Sequence, residues 1–316
     1  MSLAGRAIAV TGANGFLGAA LCKMLTENGA SVRALVRNPL RHQSLRAIAS
    51  AGVYRFDLAS EIDDESLAPT LDTVIHCAYV IDDRDRERSN HINLEGTRRL
   101  LQRSRQNGVG QFVFISSLAA HQNARSGYGR SKWLLENEIA AGFTTIIKPG
   151  TIVGPGGVFQ RLRGVIRKAP LLPVFYARHR VQTIYIEDLC EAILQSLIRR
   201  TPGRLVLAEP DGVSMREFYR GVARLEGKLT PMLSFPGDLA LMLAKTAETL
   251  SLPTPVSSDN LLGIKYVQYF DSRPTSDLLG ITPRSYWSAL SALAGTEIDR
   301  ETISSSTSII DGAPSR

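Results

Sequence analysis

The stretch AIAVTGANGFLG, residues 7–18, decides the fold. Its first four residues form an apolar run typical of a buried strand, glycines follow at positions 12, 15 and 18, and an amphipathic helical pattern begins there. Glycines at such a junction allow a tight turn and let backbone amides approach a phosphate, while the helix N-terminus adds a partial positive charge. The stretch therefore predicts a βαβ unit that binds the pyrophosphate of a dinucleotide.

The first 150 residues continue this alternation of strands and helices. The predicted strands are AIAVTG, SVRALVR, VYRFDL, TVIHCAY, QFVFISS and TTIIKPG. Apolar strands separated by helices predict an α/β fold, in which right-handed crossovers build a doubly wound (Rossmann) parallel sheet. We assign residues 1–150 to this dinucleotide-binding domain, with 181–208 returning to it as further strands and a helix. Residues 151–180 and 209–295 form a smaller, mostly helical C-terminal substrate lobe, and 296–316 form a flexible tail.

Composition narrows the class of protein. The chain has 316 residues, of which 44% are hydrophobic, and no apolar run approaches the about 20 residues of a membrane span. Its three cysteines are scattered (Cys22, Cys77 and Cys190), which argues against a disulfide framework or a metal site and fits a cytoplasmic protein. The N-terminus lacks a signal-peptide pattern.

The positive charge is partly local. Lysine and arginine exceed aspartate and glutamate by 37 − 30 = 7, and residues 161–180 contain six basic residues and no acidic one. No aromatic residues alternate with these bases, which disfavours nucleic acid. The run predicts a small anionic substrate, bound by Arg161, Arg163 and Arg180, with Arg167 and Lys168 as further candidates. A solvated basic face is the alternative.

The glycine spacing T-G-x-x-G-x-x-G resembles the extended short-chain dehydrogenase/reductase enzymes, the NAD(P)-dependent epimerase/dehydratase family. The resemblance covers residues 3–295 and includes "DL" at 57–58, N-x-x-G-T from Asn93, "KPGTIVGPG" at 148–156 and "SDLLGITPR" near the end. It implies a set of residues that contact the dinucleotide: Gly12, Asn14, Gly15, Phe16, Leu17, Gly18, Arg37, Asp57, Leu58, Cys77, Ala78, Tyr128, Lys132, Pro149 and Ile152.

The end of the second strand predicts which dinucleotide binds. NAD-dependent enzymes commonly place an acid there to accept a hydrogen bond from the ribose 2′-hydroxyl. By alignment, Val36 takes the position of that acid and Arg37 follows, with Arg33 as another cation in the strand. A guanidinium can bind a 2′-phosphate bidentately, so the sequence predicts NADP(H) rather than NAD(H). The alternative is that Arg37 is a solvated loop cation.

Tyr128 and Lys132 stand one helical turn apart in "YGRSK". The lysine is expected to lower the pKa of the tyrosine and to bind the nicotinamide ribose, so that the phenol exchanges a proton near neutral pH. The resemblance implies that Ser117 polarises the substrate oxygen and that Asn93 supports the hydrogen bonds of the site. Ser116 is expected to face away, and His76 to be a packing residue.

Two departures from the family exclude some reactions. Leu118 and Ala119 occupy the positions where 4,6-dehydratases carry an Asp-Glu pair, and Ala119 the position of a cysteine in enzymes that epimerise beside a ketone. Hydride transfer remains, and the first hypothesis is an NADP(H)-dependent oxidoreductase acting on a nucleotide-activated sugar.

Three alternatives stay open: an NAD-dependent nucleotide-sugar 4-epimerase, a non-catalytic dinucleotide-binding protein, and a reductase of small ketones. Val181 occupies the position where nucleotide-sugar enzymes place an arginine on the diphosphate, and Arg180 precedes it. The resemblance also implies a homodimer formed through the Asn93 and Tyr128 helices.

Overall fold

A computed structural model describes residues 3–81, 85–140, 142–252, 254 and 256–295. The predicted tail lies outside the described residues. The first half of the chain alternates strands and helices as expected, and α2 begins earlier than the pattern indicated because the Asp85 side chain caps it. The elements in chain order are β1 (Ala7–Thr11), α1 (Phe16–Glu27), β2 (Ser31–Val36), a 3-10 helix (Pro39–Ala47), β3 (Val53–Arg55), β4 (Thr73–His76), α2 (Arg86–Gln106), β5 (Gln111–Ile115), α3 (Gly127–Ile139) and β6 (Thr144–Pro149).

The second half contains shorter strands and most of the helices. Its elements in chain order are β7 (Thr151–Val153), α4 (Gly157–Lys168), β8 (Leu172–Phe175), β9 (Arg180–Val181), β10 (Thr183–Tyr185), α5 (Ile186–Ile198), β11 (Gly203–Leu207), β12 (Val213–Ser214), α6 (Met215–Leu225), β13 (Met232–Phe235), α7 (Gly237–Thr249), α8 (Ser258–Lys265), α9 (Arg273–Leu279) and α10 (Tyr286–Ala294).

Seven strands form one parallel sheet in the order β11-β6-β5-β4-β1-β2-β3. The chain moves outward from β1 through β2 to β3, then returns to the other side of β1 with β4. The ends of β1 and β4 therefore flank the point where the winding direction reverses, which is where ligands bind in open α/β sheets. The predicted doubly wound fold is confirmed.

Alternate residues of the sheet face two different helical layers. Ile8, Val10 and Ile75 belong to a buried cluster with α1 and α5, whereas Ala9 and Val74 belong to a second cluster with α2 and α3. This alternation follows from the two-residue period of a strand. It places α3, which carries Tyr128 and Lys132, on one face of the sheet beside β5 and β4.

The segment after Arg180 differs from the expectation in one respect. β10 lies outside the large sheet and pairs with β7, whereas β11 supplies the seventh strand beside β6. α5, which follows β10 directly, packs against α1. A third buried cluster joins α7 and α8 to the small parallel sheet of β8 and β13. Within the described residues, no helix combines the length and the apolar character needed to cross a membrane.

Candidate active site

The turn between β1 and α1 can be made only by glycine at two positions. Gly12 has φ +65°, and a Cβ there would lie 2.9 Å from the Cα of Ala78 at the end of β4. A Cβ on Gly18 would lie 2.2 Å from the carbonyl oxygen of Gly12. Both contacts are shorter than a Cβ atom tolerates, the one at Gly18 by far, so these glycines allow β1, α1 and the residues after β4 to lie in direct contact.

The N-terminus of α1 is open to an anion. Gly15 occupies the cap position, no side chain accepts a hydrogen bond from the first turn, and the first turn contains no acidic residue. The partial positive charge of the helix is therefore uncompensated by the protein. This cradle fits the pyrophosphate of a dinucleotide, with Asn14 at its rim, where the amide lies 3.3 Å from His42 Nε2.

Phe16, the first residue of α1, is enclosed by the glycines of the "GPGG" segment. A Cβ on Gly154 or Gly156 would lie 2.6 or 2.3 Å from the Phe16 ring, and one on Gly157 would lie 3.1 Å from it. Sequence alone assigned residues 148–156 to the family resemblance, and it gave no reason for the glycines at 154, 156 and 157. These glycines allow the chain that leads to α4 to pass directly over the phenylalanine.

Arg37 follows β2 and is exposed, while Val36 before it is buried at 2% exposure. The structure records no ion pair for Arg37 with another described residue. Arg33 is held elsewhere, because its guanidinium donates to the Glu65 carbonyl at 2.7 Å and lies 4.6 Å from the centre of the Tyr54 ring. Of Arg33 in β2 and Arg37 directly after it, Arg37 is the one with no recorded contact in the described part of the chain.

The remaining predicted cofactor residues lie at or just beyond the ends of β3, β4 and β6, and in β7. The Asp57 carboxylate accepts a hydrogen bond from the Ala59 amide at 3.0 Å, and the carbonyl of the buried Leu58 accepts one from Arg99. Cys77 and Ala78 follow β4 directly. Pro149 ends β6 and is buried, and Ile152 lies half-buried in β7.

Tyr128, Ser117 and Lys132 meet at the same end of the sheet. The Ser117 hydroxyl accepts a hydrogen bond from the Ala119 amide at 3.1 Å and lies close enough to the half-buried Tyr128 to influence its pKa. Lys132 is 3% exposed, and its ammonium donates to the Ile115 carbonyl at 2.7 Å. The same ammonium lies 4.5 Å from the centre of the Tyr79 ring, which itself packs edge-on against Tyr128 with the ring centres 5.2 Å apart.

Burial controls the protonation of these groups. It lowers the pKa of Lys132 to about 7, because the charged ammonium loses its hydration. Burial also raises the pKa of Tyr128, and the nearby Ser117 hydroxyl opposes that rise. Lys132 does not contribute to this shift in the protein alone, so the expected lowering of the tyrosine pKa by Lys132 stays a prediction.

Asn93 supports the site through the backbone. Its side chain is 1% exposed and binds Val80 twice, accepting from the amide at 2.7 Å and donating to the carbonyl at 2.8 Å. These bonds fix the segment after β4, which carries Tyr79. The Tyr79 hydroxyl in turn lies 2.7 Å from the Ser131 hydroxyl on α3. Sequence reasoning missed Tyr79, because its role depends on contacts made across the sheet edge.

His76 is a structural residue. It is 1% exposed and lies between two threonines, with Nδ1 2.7 Å from the Thr11 hydroxyl and Nε2 2.9 Å from that of Thr97. Burial lowers the pKa of His76 to about 3, and the charge of Lys132 adds to this effect. The imidazole is neutral at physiological pH, so it links β1, β4 and α2 without exchanging a proton.

A buried ion pair stands behind the site. The Lys148 ammonium on β6 donates to both carboxylate oxygens of Glu136 on α3 and to the Ala120 carbonyl. The Ser116 hydroxyl also donates to Glu136, so Ser116 faces away from Tyr128 as expected. The network fixes the Ser116–Ala120 loop against α3. This network was not predicted from sequence, because no recognisable motif pairs Glu136 with Lys148.

The three predicted substrate cations differ in their contacts. Arg163 on α4 is bound to Glu226, and Arg180 donates to the carbonyls of Asp211 and Gly212 at 2.8 and 2.9 Å. Arg161 is exposed on α4. Arg163 and Arg180 therefore stabilise the lobe in this structure, and Arg161 is the one of the three without an ion pair or side-chain hydrogen bond to another described residue.

Comparison with known proteins agrees with this geometry. The family model "NAD dependent epimerase/dehydratase family" matches residues 8–207. Ceramide reductase of Caulobacter vibrioides is 32% identical over 240 residues, covering 72% of this chain and 73% of that protein. The dTDP-4-dehydro-6-deoxy-D-allose reductase of Streptomyces bikiniensis is 28% identical over 278 residues, covering 74% and 85%. The UDP-glucose 4-epimerase structure from Thermotoga maritima has the same fold, with a TM-score of 0.69, 17% identity, and coverage of 94% of this chain and 99% of that chain.

Proposed function

Because the chain belongs to the NAD dependent epimerase/dehydratase family, we propose that it is an NADP(H)-dependent oxidoreductase that transfers a hydride to or from a carbon bearing a keto or hydroxyl group. Membership of the family and similarity to reductases already place the chain among NAD(P)-dependent reductases and epimerases, whose cofactor is a nicotinamide dinucleotide. The placement of Ser117 beside Tyr128, with buried Lys132 one turn further along α3, carries the proposal.

In this proposal each residue has one task. The nicotinamide, when bound, supplies or accepts the hydride. In the direction of reduction, Tyr128 gives its phenolic proton to the substrate oxygen as the carbonyl becomes a hydroxyl, and in oxidation it takes that proton back. Ser117 donates a hydrogen bond to the same oxygen. Leu118 and Ala119 carry no group that transfers a proton, which favours hydride transfer without elimination of water.

Two residues at the end of β2 support a preference for NADP(H) over NAD(H). Buried Val36 cannot accept a hydrogen bond from a ribose 2′-hydroxyl, and exposed Arg37 offers a guanidinium at the end of the strand. The cradle of α1 then binds the pyrophosphate, with the predicted cofactor residues along the sheet edge. Release of stoichiometric NAD from the denatured protein would contradict this preference and favour the 4-epimerase.

We infer an anionic substrate, with a nucleotide-activated sugar as the first candidate. The basic α4 and exposed Arg161 support it, and one relative is by name a reductase of a dTDP sugar. Another relative is by name a ceramide reductase, so a keto lipid is the second candidate. A homodimer through α2 and α3 stays a prediction.

The decisive test is Tyr128→Phe in an assay of substrate-dependent NADPH oxidation with a dTDP-linked keto sugar and an acylated keto lipid. We expect a loss of turnover of about 10²-fold or more with NADPH binding retained, since only the proton donor is removed. Tyr54→Phe is the matched control, because that hydroxyl donates to Ala51 outside the site. Unchanged turnover of Tyr128→Phe would refute the assignment of the proton donor.

A further inference from the structure

One end of the C-terminal lobe gathers two helix C-termini and two strand beginnings. β8 and β13 are parallel and paired, with Leu172 opposite Met232 and the Leu172 amide 3.0 Å from the Pro231 carbonyl. α4 runs into β8, and α6 runs into β13. Because the strands begin at the same end, both connections lie there. We call this end the basic tip, formed by Arg167, Lys168, Leu171, Lys228, Leu229 and Leu233.

The basic tip exposes large apolar side chains. Leu229 is 92% exposed, Leu233 56% and Leu171 47%, whereas Leu172 beside them is buried. Single exposed leucines are common on protein surfaces. Three at one end of a small sheet, two in the connections that meet there and one at the second residue of β13, form a patch of the kind that marks an interaction surface.

The cations of the basic tip are unpaired in the described part of the chain. Arg167 and Lys168 lie exposed in the last turn of α4, and Lys228 lies half-exposed after α6. Glu226, the acid nearest to Lys228 in the chain, is bound to Arg163, and its side chain is 7% exposed. The patch therefore combines exposed leucines with an excess of positive charge.

We propose that the basic tip docks on an anionic lipid bilayer, with the leucines entering the interface and the three cations contacting headgroup phosphates. A second copy of the chain fits less well, because two such tips brought together would place like charges against each other. The proposal goes beyond the proposed function and does not depend on it, since docking requires neither cofactor nor turnover.

The test is cosedimentation with lipid vesicles. We expect the protein to bind vesicles of phosphatidylcholine mixed with phosphatidylglycerol, to bind phosphatidylcholine alone far more weakly, and to dissociate as sodium chloride is raised. Lys168→Glu combined with Lys228→Glu should weaken binding more than about tenfold, since each cation near an anionic surface contributes about fivefold. Leu229→Ser should weaken it with little change in salt dependence.

The matched control is Lys23→Glu combined with Arg46→Glu, which changes the net charge equally at exposed positions on α1 and the 3-10 helix. It should bind vesicles at least several-fold more tightly than the Lys168/Lys228 variant. The proposal would be overturned if both double variants weakened vesicle binding equally, or if binding were as tight to phosphatidylcholine alone as to the mixture with phosphatidylglycerol. So would a concentration-dependent dimer that Leu229→Ser abolishes, because a second copy would then cover the tip.

Discussion

Glu136 and Lys148 form an ion pair inside the protein, with both carboxylate oxygens accepting hydrogen bonds from one ammonium, at 2.6 and 2.8 Å. Glu136 is fully buried and Lys148 is 3% exposed. Burial lowers the pKa of Lys148, and the carboxylate opposes that change. Since Glu136 follows Lys132 by one turn of α3, the pair fixes the helix of the site against β6.

Glu136→Gln should lower the free energy of unfolding by about 3–5 kcal/mol, because it leaves the buried ammonium without its anion. Urea unfolding followed by circular dichroism measures this. The control is Arg204→Gln: Arg204 lies 3.3 Å from the same carboxylate but is 40% exposed, so its loss should cost below about 1 kcal/mol. Adding Lys148→Met to Glu136→Gln should restore part of the stability. Equal effects of the two single variants would contradict this account.

Gly18→Ala should abolish dinucleotide binding and destabilise the protein, because the added Cβ meets the Gly12 carbonyl oxygen at 2.2 Å. NADPH titration by fluorescence and thermal unfolding are the measurements. Gly164→Ala is the control, since a Cβ there meets no atom within 4 Å on helix α4. That substitution should leave binding unchanged and raise stability by about 0.5–1 kcal/mol. A Gly18→Ala protein that binds NADPH normally would show that the turn relaxes.

Arg37→Gln should weaken NADPH binding by about tenfold to a hundredfold and leave NADH binding nearly unchanged, because hydrogen bonds to a charged phosphate contribute about 1.5–3 kcal/mol. Isothermal titration with both nucleotides gives the comparison. Arg46→Gln, a change of the same type at an exposed position of the 3-10 helix, should affect neither. Native protein that binds NADH as tightly as NADPH would exclude the assigned role of Arg37.

Stability should fall in mild acid partly through His76. Its pKa is about 3 in the folded protein and about 6.5 when unfolded. Between these values the unfolded chain binds the extra proton, so stability decreases as pH falls from 6.5 toward 3. At pH 5 this single group should cost about 2 kcal/mol relative to pH 7. Urea unfolding at pH 5 and pH 7 should show a smaller loss of stability in His76→Gln than in the native protein. An equal loss in the two proteins would show that His76 does not cause the acid sensitivity.

The sheet and the nucleotide cradle could be predicted from sequence because local patterns determine them. The apolar run at 7–10, the glycines after it and the repeated strand–helix alternation each require only neighbouring residues. The prediction that β10 belongs to the large sheet was wrong. A strand of three residues has too little local pattern to determine its partner, and the tertiary structure pairs it with β7.

Sequence predicted the site residues that belong to local motifs, but not those that join the site through contacts between residues distant in the chain. Ser117, Tyr128 and Lys132 stood in recognisable spacings, whereas Tyr79, Glu136 and Lys148 became part of the site only through packing. The direction of the Tyr128 pKa shift also depended on burial, which a motif does not encode. The engagement of Arg163 and Arg180 by their own lobe could not be read from a basic run.

The contact between Phe16 and the glycines at 154, 156 and 157 imposes an order on sequence change. A side chain at Gly156 becomes tolerable only after Phe16 has been replaced by a smaller residue, so the same substitution is harmful in one background and acceptable in another. Positions at the two ends of this contact must therefore change in a fixed sequence. The cofactor cradle and the segment leading into α4 are therefore expected to change together in evolution.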